Sequence, residues 1–409
     1  MPILLKVNEL EVGMSLASNV MNNYSMLLPM NHQISESDIM GLRRILPDVS
    51  VEVMDPILDK FVEFEDQTIE RKVSLKVRKN ISNMVSNVTD KVRSGVTLSS
   101  ENVAGVRGVV TDMMLFMSEN PATTALIEQS SDWDAYLREH SANVFYLSLM
   151  IGNTIKNYIF RERQRLSVAK KIHNAMDLTS LGMAAMLHDI GMVPIEHIYS
   201  KEESLTEEEK AKVLNHPIAG AESLPDNVDG MVKLVVRQHH ENVDGSGYPE
   251  KLPGDKVSIF ARILRVADAY SAAIANKVYG QKKTPVAILY EMLHGKYRKF
   301  YDPVILKVFS NIVQPFPIGA KMHLEDGTWA VVVKHNKKDP FNPEVIVAYD
   351  NFGDPIPKES LKEPFSIGIE GSLKIKTFDG ENMSYLYDGN YDLQNQEVVV
   401  GELLNYSYP

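Results

Sequence analysis

The chain has 409 residues, 44% of them hydrophobic, and 54 acidic against 43 basic side chains give a net charge of -11. That is the profile of a globular protein of about two to three domains, and the acidic balance argues against nonspecific binding of long nucleic acid, which needs a basic footprint. With no cysteine in the chain, disulfides, thiolate metal sites and cysteine nucleophiles are excluded, so a metal would have to be held by His, Asp or Glu.

In chain order, Ile3–Val7 and Val51–Met54 read as strands. Ser35–Ile45 reads as a helix with a Ser cap and with Glu36 and Asp38 in its first turn. Residues 1–56 are therefore expected to be a small α+β module. The N-terminus lacks a basic start and a long apolar core, so no signal peptide is expected there. No apolar run approaches the ~18 residues of a membrane span, and the expectation is a cytoplasmic protein with no membrane partner.

Residues 57–125 read as helical. Ile69, Val73, Val77, Ile81, Met84 and Val88 form one face of a long amphipathic helix. Its expected role is packing, with homodimerisation or signalling to a protein partner as the alternative. A second helix is expected after Ser99 or Ser100, through Val103, Val106, Val110, Met113 and Met117, until Pro121. Residues 126–312 are rich in helical periodicity; Thr206 to Glu209 has the form of a capping box, and Pro217 suits a helix first turn. Residues 315–409 change to alternation. Trp329–Lys334 and Glu344–Tyr349 read as strands and Asp326-Gly327 as a turn, which predicts a small β-barrel or β-sandwich. The expected class is thus a central all-α domain between a small α+β module and a small β-rich domain.

Nearly all the chemistry lies in the helical part. His188-Asp189 and His239-His240 are two adjacent ligand pairs, and His140, His216 and Asp268 can join them. Neighbours on a helix point about 100° apart, so an adjacent pair can address two ions close together. Asp189 is the natural bridge, because a carboxylate has two oxygens. Asp268 sits in an apolar helical pattern, and a buried carboxylate generally needs a partner. A cation is one such partner, and a salt bridge to an arginine is the other. His and carboxylate donors suit iron, manganese or zinc, and seven mixed ligands suit two roughly octahedral ions better than one tetrahedral zinc. His32, His173, His197, His294, His323 and His335 are read as structural or exposed.

The ordered set resembles the HD-GYP family of metal-dependent cyclic dinucleotide phosphodiesterases. The stretches that carry it are Tyr136–Ser141, His188-Asp189-Ile190-Gly191, Asn215-His216-Pro217, His239-His240-Glu241, Asp244–Pro249, Arg262–Asp268 and Phe300–Pro303. The resemblance implies an α-helical HD domain that opens cyclic di-GMP to linear pGpG or GMP. It implies that His140, His188, Asp189 and Asp268 hold one divalent ion, and that Asp189, His216, His239 and His240 hold another, with iron as the first choice and manganese as the second. Tyr136 stands where a three-metal variant of the family has Glu, so two ions are expected.

Three positions depart from the family pattern. Met192 stands where Lys is usual, Ser271 where Asp is usual, and Lys277-Val278-Tyr279-Gly280 where Arg-Pro-Tyr-Arg is usual. The metal cage looks intact and the substrate clamp thinned. The leading expectation is hydrolysis with Asp189 and His188 at the catalytic centre and water attacking phosphorus in line. Gly247, Tyr248 and Pro249 would line the nucleotide, and Lys277 and Lys283 would offset phosphate charge. A weakened domain that binds a cyclic dinucleotide or a protein without turnover, and a phosphohydrolase of another nucleotide, are the alternatives.

Overall fold

The computed structural model describes residues 2–7, 10–16, 19–22, 25–29, 32–46, 50–54, 67–119, 133–162, 167–168, 177–199, 204–275, 284–336, 339–368 and 372–388. The chain divides into two compact units, Met1–Ile69 with Phe316–Asn390, and Glu70–Pro315 with Tyr391–Pro409.

In the first unit, β1 (Pro2–Lys6), β2 (Ser15–Leu16) and a later strand form an antiparallel sheet, while β3 (Val20–Asn22) pairs with β4 (Ser25–Leu28). Helix α1 (Glu36–Ile45) follows, then β5 (Ser50–Met54), which lies between β1 and β2. Ser35 caps α1 in a reciprocal capping box with Asp38. Val7, Leu16, Ile34, Leu42 and Val53 are among the buried core residues of this segment. Strands β2, β3 and β4 were not expected: two to four residues are too few for alternation to show.

The other segment of this unit, expected as a barrel or sandwich, is one six-stranded antiparallel sheet. It comprises β6 (Lys321–Leu324), β7 (Trp329–Lys334), β8 (Glu344–Tyr349), β9 (Phe365–Ser366), β10 (Ile375–Phe378) and β11 (Glu381–Asn382). Their order is β11-β10-β6-β7-β8-β9. Gly327, at φ +92°, makes the turn from β6 to β7, a conformation glycine adopts without strain. The outermost strands have two residues each, which leaves little unpaired backbone at either edge.

The second unit is helical. Helix α2 (Gln67–Arg93) buries Ile81, Val85 and Val88; helix α3 (Ser100–Glu119) buries Val103, Val106, Val110 and Met113. Where side chains are described, the faces read from periodicity are buried except at Met84 and Met117, which are half-buried, and Val85 joins the first face. Helix α4 (Trp133–Thr154) is central, leads into α5 (Lys156–Glu162), and packs on α6 (Thr179–Leu187) and on a long helix near the end of the unit. Every residue of α6 from Leu181 to Leu187 is buried, as expected of a helix apolar all round. A 3-10 segment (Ile190–Ile195) leads to α7 (Glu196–Tyr199), α8 (Glu207–Leu214), α9 (His216–Ser223) and α10 (Gly230–Gln238). The unit closes with α11 (Ile259–Ala275), α12 (Pro285–His294), a 3-10 turn and α13 (Pro303–Ile312). Thr206 caps α8 through the expected capping box, and Pro217 opens α9.

Asp302 holds three elements of this unit together. Its carboxylate caps α13 at Val304 and Ile305, accepts from the Tyr158 hydroxyl at 2.9 Å, and pairs with Arg262 of α11 at 2.7 Å. Burial, with the charge of Asp302 next, pushes the Tyr158 hydroxyl up to about 12. Among the described residues no helix is long and apolar enough to cross a membrane.

Candidate metal centre

The cluster is assembled from helix ends and two mid-helix positions. His188 is the C-cap of α6 and Asp189 follows it at the entrance of the 3-10 segment. His216 is the first residue of α9, and His239 is the C-cap of α10 with His240 next to it. His140 projects from α4 and Asp268 from α11. All seven are at most 3% exposed.

Asp189 divides its two oxygens between two sets of nitrogens. Oδ2 lies 3.1 Å from His188 Nε2 and 3.6 Å from His140 Nε2. Oδ1 lies 3.4 Å from His216 Nε2 and 3.7 Å from His239 Nε2. Asp268 faces the first set, 3.2 Å from His140 Nε2, and its other oxygen is 3.7 Å from His240 Nδ1. The ligand atoms of His140, His188 and Asp189 lie within 4.8 Å of one another, as do those of Asp189, His216, His239 and His240.

Three of the rings are oriented by backbone. His188, His216 and His239 each donate Nδ1–H to the carbonyl three residues earlier, those of Ala185, Val213 and Val236, at 2.9, 2.6 and 2.6 Å. Donation there fixes the tautomer and leaves a lone pair on each Nε2. His140 Nδ1 is instead 3.0 Å from the Ser271 hydroxyl. The departure at 271 therefore sits against a ring of the cluster.

The residues present fit a cation. His216 Nε2 and His239 Nε2 are 3.2 Å apart, and both also face a carboxylate oxygen. Lone pairs facing each other in a dry interior are favourable only with a proton or a metal ion between them. Imidazole and carboxylate donors suit iron, manganese or zinc. Electrostatics show the pull on positive charge. Burial opposes charge on His188, yet Asp189 and then Asp268 outweigh it and raise its pKa to about 9, so this ring holds a proton that a metal would have to displace. Burial lowers His239 to about 4 and pushes His240 well down, the neighbouring histidines adding to both. Burial alone would raise Asp189, but His188 and the other rings hold it well below the carboxylate range. Neutral imidazole and ionised carboxylate are the states that ligate.

Glycines let these parts approach. A Cβ at Gly191 would lie 2.2 Å from the His216 carbonyl oxygen and 2.7 Å from Gly220 N, so the turn carrying Asp189 rests directly on α9. A Cβ at Gly247 would lie 2.2 Å from Asn242 N and 2.5 Å from the His240 carbonyl. The loop from Asp244 to Pro249 folds back on the His239-His240 segment, and the Tyr248 ring stacks on His240 at 4.6 Å. Glu241, buried and given no role from sequence, accepts from the backbone of Glu250 at 2.7 Å and of Leu252 at 3.0 Å. Its carboxylate fastens that loop.

Met192 is fully buried and packs with Ile198 and Val213, so this position belongs to the apolar core. Lys277, Lys283 and Gly280 lie outside the described residues, as does the Tyr136 side chain. Of the other histidines, His32 pairs with Asp38 at 2.9 Å and His323 lies against Trp329, while His173 lies outside the described residues.

A family model described as the HD domain matches residues 150–305. Over that stretch the chain is similar to the HD domain. Curated proteins similar to this chain include cyclic dinucleotide phosphodiesterases. A cyclic di-GMP phosphodiesterase of Pseudomonas aeruginosa is 32% identical over 182 residues, 44% of this chain and 44% of that protein. The cyclic di-GMP phosphodiesterase PdeB of Borreliella burgdorferi is 30% identical over 258 residues, 62% of each. A 3'3'-cGAMP-specific phosphodiesterase of Vibrio cholerae is 35% identical over 126 residues, 30% of this chain and 24% of that one. The chain thus spans about half the length of the first two. His140 lies outside the stretch the family model matches, ten residues before its start at 150.

Proposed function

We propose that residues 126–312 hydrolyse a phosphodiester bond of a cyclic dinucleotide, cyclic di-GMP first, to linear pGpG or GMP. The observation that carries this reading is the split of the Asp189 carboxylate, Oδ2 toward His140 and His188 and Oδ1 toward His216 and His239. One shared carboxylate between two nitrogen-rich sets is the arrangement needed to hold two cations side by side, with Asp268 completing the first set and His240 the second. Two divalent ions bound there, iron first and manganese next, supply Lewis acidity and bring a water's pKa toward neutrality.

The chain's own residues then act as follows. Asp189 fixes the spacing of the two sets. The Ala185, Val213 and Val236 carbonyls hold His188, His216 and His239 as Nε2 donors. Burial of the seven side chains strengthens each charge interaction among them. Tyr248 and Pro249 wall the nucleotide side, and Gly247 lets that wall close onto His240. Lys277 and Lys283 offset phosphate charge. The relatives named as phosphodiesterases of cyclic di-GMP and of 3'3'-cGAMP agree in the class of substrate.

The test is to incubate iron- or manganese-loaded protein with cyclic di-GMP and separate the products by chromatography. Linear pGpG or GMP is the expected result. Cyclic di-GMP bound and recovered intact would replace this reading with that of a receptor. Cleavage of other nucleotides alone would replace it with a different phosphohydrolase.

A further inference from the structure

Arg265 lies on α11, three residues before Asp268, and is 1% exposed. A permanent cation so deeply buried is costly unless its geometry repays the loss of water. Its Nε donates to Asn242 Oδ1 at 2.9 Å. Its guanidinium lies over the Tyr301 ring, 5.6 Å from the centroid, the flat-face contact that suits arginine. Asn242 passes the connection on, since its Nδ2 donates to Ser246 Oγ at 3.1 Å. Ser246 in turn binds Asp244 through both its backbone N at 3.0 Å and its hydroxyl. From the other side, Val243 N donates to the Phe300 carbonyl at 2.9 Å, and Lys299 pairs with Asp244 at 3.4 Å.

Two segments therefore meet at Arg265, the loop that carries Tyr248 and the turn at Phe300-Tyr301. We propose that Arg265 is a positioning residue that locks the Asp244–Pro249 loop onto the helix bearing Asp268, making the loop a fixed wall of the centre rather than a lid. Arg265 reaches the loop through Asn242, two residues after His240, so the same contact sets where Tyr248 stacks. Lysine cannot replace it, because the contact uses a directed Nε–H and a flat face together. That the wall faces a nucleotide rests on the hydrolase reading; that Arg265 fastens it does not.

The experiment is hydrogen exchange on the full chain without substrate, for wild type, Arg265→Lys, Arg265→Gln and Asn242→Ala, with metal content measured alongside. A buried hydrogen bond to a charged group is worth enough to shift local opening by at least about tenfold. The amides of Gly245 and Tyr248 are expected to exchange at least about tenfold faster in all three variants, while the amides of α6 keep wild-type protection and metal content stays at the wild-type level. The double variant Arg265→Gln/Asn242→Ala is expected to add little beyond either single change. Unchanged exchange at Gly245 and Tyr248 in Asn242→Ala, or full protection in Arg265→Lys, overturns the proposal. If Arg265→Gln fails to fold, Asn242→Ala and Arg265→Lys decide alone. Cleavage of cyclic di-GMP is assayed separately on the wild type, so failure of the hydrolase reading leaves the exchange result intact.

Discussion

His216 and His239 meet through Nε2 atoms 3.2 Å apart, each with its Nδ1–H already given to a backbone carbonyl. Without a cation between them this contact is repulsive. Metal loading is therefore expected to stabilise the fold by mass action. Chelation should lower the thermal midpoint by several degrees, and iron or manganese should restore it, as read by differential scanning fluorimetry. A midpoint indifferent to both treatments would count against a metal centre.

Replacing Asp189 with alanine removes the carboxylate whose two oxygens divide between the two sets. Asp189→Ala is expected to lose both metal binding and cleavage of cyclic di-GMP. Elemental analysis and product chromatography check the two losses separately, and full activity in this variant would sink the mechanism.

Gly191→Ala puts a methyl 2.2 Å from the His216 carbonyl and 2.7 Å from Gly220 N. Both obstacles are backbone, so α9 must shift and carry His216 with it. A cost of about 1–3 kcal/mol is expected, together with weaker metal binding. Urea titration and metal calorimetry read the two effects, and wild-type values in both would show that the approach is not needed.

Asp302→Ala removes a helix cap and leaves the mostly buried Arg262 without one of its two carboxylates. A loss of about 3–5 kcal/mol is expected. Asp302→Asn keeps an acceptor for the cap and should lose less. The two variants are ranked by their urea midpoints, and equal losses would argue that the cap contributes nothing.

Asp38 is held at about 2, first by the Ser35 hydroxyl and then by His32. Its pKa is lower in the folded chain than the ordinary 3.8. The stability it lends is thus complete above about pH 4 and is lost as pH falls through about 2. The carboxyl carbon shift of Asp38, assigned with Asp38→Asn, should titrate near 2; a midpoint near 4 would refute the contact.

The helices α1, α2, α3 and α8 were legible because their caps and apolar spacing are local properties. Strands β7 and β8 were legible from alternation, whereas the sheet order was not, since pairing is set by distant segments. The convergence of seven His and Asp side chains could be anticipated from residue types and family order. The means of holding them could not. Backbone carbonyls three residues upstream carry no side-chain signal, and Glu241 and Arg265 read as ordinary residues until their partners are known. Met192 could not be assigned to the core, because sequence cannot say which way a residue on a 3-10 turn faces.

His188 and His239 each end a helix as its C-cap. Two helix termini of negative polarity therefore adjoin the cluster, against one of positive polarity at His216, the first residue of α9. The main chain thus favours positive ions by the margin of that difference, and mutating any single ligand leaves that part of the potential in place.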